Sequence, residues 1–139
     1  MRFSKGFTLL ELLMVVIIIA ILASIALPGF IQTAERSRMT EAIQILSTIR
    51  GAEHRYRAHV ATGLYTNVIA NLDVSVPVMT SWTVPTLTVA AGPIGKAQTT
   101  RSGGTYTGQI VGIQFGTGTV CGTFVPGGGT LPACAASGD

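Results

Sequence analysis

The sequence predicts an α+β fold: one long N-terminal helical spine, hydrophobic in its first half and amphipathic in its second, packed on a small antiparallel β-sheet. Three observations predict it. Residues 7–27 are almost wholly apolar, and residues 39–60 repeat apolar side chains every three or four positions. From Asn71 onward only Asp73, Lys96, Arg101 and Asp139 are charged, while Gly, Thr and Ser take over. A length of 139 residues sets a prior of one domain.

The first half of the helix reads as a membrane span. Leu12 to Leu27 has Ser24 as its only polar side chain. Extended back to Phe7, the run makes about 32 Å of helix at ~1.5 Å per residue, against a hydrocarbon core of roughly 30 Å. Glu11 is the anomaly, because a charge deep in such a helix costs on the order of 2.5–3.5 kcal/mol. Its nearest candidate cation exists only if the chain is cut just before Phe7, freeing an α-amine with a pKa of about 7.7–8.0. An ordinary signal peptide cleaved after Ser24-Ile25-Ala26 is the alternative, but its apolar core would be too long and would contain a glutamate. A plain anchor explains the hydrophobicity and leaves the Gly6-Phe7-Thr8 junction without a reason. Arg2 and Lys5 before the span, against Arg36 and Arg38 with Glu35 after it, bias the N-terminus only weakly toward the cytoplasm.

Pro28-Gly29 is expected to kink or loosen the helix, because proline lacks the donor and crowds the preceding turn. Periodicity resumes with Met39, Ala42, Ile43, Leu46, Ile49, Ala52, Tyr56 and Val60, which form one apolar stripe. Arg38, Glu41, Gln44, Thr48 and Arg55 occupy the other face, and Thr62-Gly63 ends the helix. A connecting segment follows from Tyr65 to Leu72. A first strand is expected over Trp82–Val84 and Leu87–Val89, interrupted by Pro85 and closed by Gly92-Pro93. The clearest strand signal is Thr105–Thr107 with Ile110–Phe115, where Val111, Ile113 and Phe115 alternate on one face. Gly116-Thr117-Gly118 is a turn, Thr119–Val125 a third strand, and Pro126 to Asp139 an irregular tail. One helix laid on a small antiparallel sheet fits this order.

The join Gly6-Phe7-Thr8-Leu9-Leu10-Glu11, preceded by the basic Met1–Lys5, resembles the prepilin leader of type IV pilins and type II secretion pseudopilins. The resemblance is close over residues 5–30 and looser beyond. It implies that a membrane peptidase cuts between Gly6 and Phe7 and that the new N-terminal Phe7 is methylated on its amine. It implies that Glu11 then meets the N-terminal amine of a neighbouring subunit, an opposite charge that favours the ionised form of both groups. Pro28 matches the helix kink common in the family. The implied organisation is a leader over 1–6, an anchor and assembly helix over 7–28, and a head over 29–139.

The implied function is a structural subunit, major or minor, of a type IV pilus supporting adhesion, motility or DNA uptake. The alternative is a pseudopilin of a type II secretion system; a monomeric membrane-anchored binding domain is a third reading, from a different class. The implied partners are further copies and other pilins in a helical filament, the prepilin peptidase, an inner-membrane assembly platform and, indirectly, a motor ATPase. The chain would cross the inner membrane once before assembly and stand on the cell surface afterwards.

Cys121 in the last strand and Cys134 in the tail resemble the C-terminal disulfide loop of many type IV pilins. Bonded, they would close a loop of about 14 residues, worth about 3 kcal/mol in the chain-entropy model, and oxidation is expected outside the cytoplasm. Two free thiols are the alternative. Major pseudopilins generally carry a calcium site and lack the tail disulfide, and Asp73 and Asp139 are too few carboxylates for such a cage.

No enzyme is expected, and no cofactor. No Ser-His-acid set, paired carboxylates or phosphate-cradling loop occurs, and Gly127-Gly128-Gly129 follows a proline and opens no helix. Two cysteines without a nearby histidine fall short of a metal site. His54 and His59 are five apart and do not share a helical face, so solvation or packing is preferred for both. Arg50, Arg55 and Arg57 with Tyr56 are the one candidate contact to nucleic acid, but such charges on an exposed helix are usually only solvated. The formal charge of +3 does not mark a nucleic-acid binder, since Arg2 and Lys5 leave with the leader.

Overall fold

The computed structural model describes residues 6–135 and the backbone of residues 137 and 138. Arg2 and Lys5, which the resemblance assigns to a leader, lie outside the described residues. One helix, α1 (Leu9–His59), holds 51 residues. The chain divides into two units, the first ending at Ala34 and the second beginning at Glu35.

In the first unit every described side chain up to Thr33 is exposed. An 18-residue window of α1 there reaches a mean hydropathy of 2.9 with none of it buried, so the helix is long and apolar enough to cross a membrane. α1 runs continuously through Pro28-Gly29, where a kink or loosening is expected. Proline removes a single rung of the ladder, and Thr33 Oγ1 donates to the Gly29 carbonyl at 2.9 Å.

In the second unit α1 presents the expected stripe. Ala42, Leu46, Ile49 and Ala52 are fully buried, with Met39, Ile43 and Tyr56 packed partly against them. Arg38, Glu41, Gln44, Thr48 and Arg55 are exposed. Gly63, with φ of 62°, turns the chain just beyond the helix, a conformation that costs glycine nothing. A short 3₁₀ turn (Ile69–Asn71) lies in the connecting segment.

The sheet is an antiparallel meander of β1 (Thr86–Ala90), β2 (Ile94–Thr100), β3 (Ile110–Gln114) and β4 (Val120–Gly122). Lys96 pairs with Gln114, and Gln98 with Gly112, which in turn pairs with Cys121. A last two-residue strand, β5 (Ser137–Gly138), pairs with the start of β2. The core joins α1 to the inner face of the sheet through Ala97, Val111, Ile113, Phe115 and Phe124, with Trp82, Tyr65, Leu72 and Met79 closing it. Trp82, Tyr106 and Phe124 meet edge to face, at 5.1 Å for Trp82–Phe124 and 5.3 Å for Tyr106–Phe124.

Besides β5, which lies in the tail expected to be irregular, four details differ from the sequence expectation. Trp82–Val84 is not a strand: Trp82 makes one isolated bridge, to Arg101, and β1 starts only after Pro85. β2 was not anticipated, because its core-facing residues are Gly95, Ala97 and Thr99, too small to register as an apolar alternation. A Cβ on Gly95 would stand 2.5 Å from the Phe115 ring, so the small side chain makes room for an aromatic neighbour. Thr105–Thr107 is a turn between β2 and β3, flanked by Gly104 and Gly108 at positive φ. The third expected strand shrinks to β4, because Gly122 at φ 135° lets the Thr123 and Phe124 amides converge on the Ile110 carbonyl.

Candidate functional site

The sequence-predicted site residues fall in two places. Gly6 and Phe7 precede α1, and Phe7 is 75 % exposed. Thr8 stands at the helix entrance, where its Oγ1 accepts the Glu11 backbone N–H at 3.2 Å. Thr8-Leu9-Leu10-Glu11 therefore shows the threonine half of a capping box, in which the hydroxyl satisfies one of the orphan amides at a helix start. That signal was present in the sequence and was overlooked there. It gives Glu11 a local fitness as well, since an acidic group in the first turn faces the positive end of the helix dipole. Its side chain is exposed, and none of the ion pairs among the described residues includes it.

Cys121 and Cys134 are joined by a disulfide, with their Cα atoms 4.9 Å apart. The bond lies on the outer face of the sheet. There Lys96 Nζ donates to the Cys134 carbonyl at 2.7 Å, Gln114 Nε2 to the Ala135 carbonyl at 3.0 Å, and the Gly122 amide to the Pro132 carbonyl at 2.9 Å. The tail is thus a strap running from β4 across β3 to β2. Gly112 is the floor under it: a Cβ there would sit 2.8 Å from Cys134 Sγ and 3.1 Å from Cys121 Sγ.

The three arginines and two histidines singled out in the sequence do not converge on one patch. Arg50 donates from Nε and Nη2 to the carbonyls of Phe115 and Gly116, at 2.7 and 2.8 Å. Arg57 donates to the Gly63 carbonyl at 3.0 Å and to the Tyr65 hydroxyl at 3.3 Å. Arg55 forms a bidentate surface pair with Asp73, at 2.7 and 2.8 Å, and holds the Asp73 carboxyl below its usual range. His54 Nε2 lies 2.9 Å from the Phe115 carbonyl, an acceptor only, so that nitrogen carries the proton. His59 is exposed beside Arg55, Tyr56, Asn71 and Asp73. These groups fasten α1 to the loops around it.

Two buried glutamates escaped the sequence reading, which places Glu35 only among the charges after the span and gives Glu53 no role. Glu35, 5 % exposed, receives Nε and Nη2 of Arg101 at 3.0 Å each, and also pairs with Arg38. Hydrogen bonding from Arg101 holds its carboxyl below the usual range, against the opposing effect of burial. Glu53 is fully buried; its Oε2 accepts the Thr66 amide at 3.0 Å, while burial pushes its carboxyl up to about 7. Both glutamates sit at stripe positions: Glu35 is seven residues before Ala42, and Glu53 seven after Leu46.

A family model described as the prokaryotic N-terminal methylation motif matches residues 1–27. The chain is similar to the fimbrial protein EcpC of Eikenella corrodens, 47 % identical over 53 residues, which are 38 % of this chain and 35 % of that protein. It is similar to the type IV major pilin protein PilA of Myxococcus xanthus, 45 % identical over 53 residues (38 % of this chain, 24 % of PilA). The type IV major pilin protein PilE1 of Neisseria gonorrhoeae is 40 % identical over 53 residues, again 38 % of this chain and 32 % of the relative. The matched stretch thus spans about a third or less of the curated relatives. No solved structure matches the chain. The chain thus carries the prokaryotic N-terminal methylation motif at its start and, over its first third, is similar to type IV pilins and fimbrial proteins.

Proposed function

We propose that the chain is a structural subunit, major or minor, of a type IV pilus filament, and supports adhesion, motility or DNA uptake. One observation carries this: the methylation motif opens a helix whose apolar side chains, from Phe7 to Ile31, are all exposed. Water does not tolerate an apolar surface of that extent, so lipid or other helices must cover it. In the precursor the cover is the inner membrane, which the helix crosses once. In the filament it is the helices of other copies and other pilins. Lipid is as apolar as a helix bundle, so hydrophobicity alone gives little reason to leave the bilayer. Close packing, the charge on Glu11 and work from an assembly platform and its motor ATPase make the difference.

Cleavage between Gly6 and Phe7 by a prepilin peptidase creates the cation that Glu11 lacks. The Phe7 amine, methylated, meets Glu11 of a neighbouring protomer, which makes axial register energetically distinct. The head over 29–139 follows the anchor helix over 7–28 and carries the exposed loops. The tail disulfide favours a pilus subunit over a type II secretion pseudopilin. Edman sequencing and intact mass of native material test the proposal together: an N-methylated Phe7 start supports it, and a start at Met1 or Leu27 overturns it. Labelled subunits imaged in surface fibres separate a pilus from a periplasmic pseudopilus.

A further inference from the structure

Glu53 is a titratable group that assembly through the N-terminal helix does not use. It lies on the packed face of α1 with no exposed surface. One oxygen accepts the Thr66 amide at 3.0 Å; among the described residues the other, Oε1, is a buried atom with no hydrogen-bond partner. A carboxylate stripped of water in this way is costly, whereas a neutral carboxyl group is not. Thr66 is itself buried and is the node of the following turn. Its Oγ1 accepts the Val68 amide at 3.1 Å and the Asn71 side-chain amide at 3.2 Å. Glu53 thereby ties the node of the 63–72 segment to the helix, beside the Arg57 bonds to Gly63 and Tyr65.

Among the described residues, the charges around Glu53 are directed to other partners. On α1, Arg50 and His54 are directed to the carbonyls at the end of β3, Arg57 to Gly63 and Tyr65, and Arg55 to Asp73. Tyr56 is half-buried on the same helix and His59 exposed at its end. The connecting segment brings Tyr65, whose hydroxyl meets Arg57, and Asp73, whose carboxylate meets Arg55. Just beyond β3, the Phe115 and Gly116 carbonyls accept from Arg50 and His54. Burial and the Thr66 amide are the two influences acting on Glu53, and burial is the larger.

We propose that Glu53 is a proton-operated latch: its neutral carboxyl group holds the 63–72 segment against α1, and ionisation loosens that segment. Closed, the carboxyl titrates near 7; opened to water, near its ordinary value of about 4.5. Linkage then requires that opening becomes roughly tenfold easier per pH unit between about 5 and 7 and levels off above that. The device is built into the head and operates whether or not the chain polymerises.

The test uses the full-length chain in detergent micelles. Carbon-13 NMR follows the Glu53 carboxyl, and amide exchange, corrected for intrinsic rate, follows residues 64–72. The expected result is a carboxyl titrating near 7 together with protection of 64–72 that falls roughly tenfold between about pH 5.5 and 6.5. Glu53→Gln, which keeps a carbonyl acceptor for Thr66, is expected to flatten that pH profile. A carboxyl that titrates near 4.5 overturns the latch, as does protection that ignores the titration. Both readouts exist in the unsubstituted chain, so a variant that fails to fold does not remove the test.

Discussion

Arg101 sits edge-on to Glu35 with Nε 3.0 Å from one carboxylate oxygen and Nη2 3.0 Å from the other, both side chains more than nine-tenths buried. Nη1 of the same guanidinium donates to the Ser81 carbonyl at 2.8 Å. One residue just past the end of β2 thereby fixes the start of the packed helix and the segment before β1. Breaking such a pair by removing one partner leaves a buried charge and costs about 3–5 kcal/mol. Arg101→Met is expected to show a loss of that size in denaturant unfolding. Glu35→Leu combined with Arg101→Met should recover part of it, since two apolar groups leave no ion unpaired.

The two buried glutamates pull the pH optimum in opposite directions. Glu35 is held low by Arg101, so its stabilisation is present above about pH 4.5, the ordinary value, and is lost as acid protonates the folded form. Glu53 is held high, so its contribution is full below about 4.5 and declines as pH rises to about 7. A displacement of that size corresponds to roughly 3 kcal/mol at most. Thermal unfolding across this range should therefore show Glu53→Gln moving the optimum to higher pH. An unmoved optimum contradicts the assignment.

Gly112 is predicted to be required for the disulfide strap. Gly112→Ala places a methyl group 2.8 Å from Cys134 Sγ and 3.0 Å from the Ala97 carbonyl. Overpacking of this kind costs about 1–3 kcal/mol. Free-thiol titration should detect unpaired Cys121 and Cys134 in the variant. In a background where both cysteines are serine, the same substitution should cost less, because the two changes share a contact.

Thr8 and Glu11 separate local capping from contact between protomers. Thr8→Ala removes the acceptor for the Glu11 amide and should weaken the first turn by about 1 kcal/mol, read as faster exchange of that amide. Glu11→Gln keeps the capping-box residue class but removes the charge. Cleavage after Gly6 should survive it, while filament number and length fall sharply, as they should for Glu11→Ala. Normal filaments from Glu11→Gln would mean that capping, and not charge, is what position 11 provides.

Much of the head was legible in the sequence. The stripe from Met39 to Tyr56 is written in side-chain spacing, and burial follows spacing because one face of a helix must meet the sheet. Val111 and Ile113 announced β3 by period-two alternation. β2 was silent, since Gly95, Ala97 and Thr99 carry almost no hydrophobic signal and are selected by what must fit against them. Tyr106 misled: its β-branched neighbours favour a strand, but Gly104 and Gly108 turn the chain there and send the ring to Phe124.

What the chain alone determined is local: an apolar N-terminal helix opened by a leader motif, an amphipathic continuation, and a glycine- and threonine-rich sheet. Periodicity and composition act over a few residues, so they can be read without a partner in view. Which charges are buried was decided only by tertiary structure. Glu35 looks like any flanking acid until Arg101, 66 positions away, is brought to it, and Glu53 looks like any helix charge until Thr66 closes over it. Desolvation depends on what covers a group, and that is a property of the packed chain.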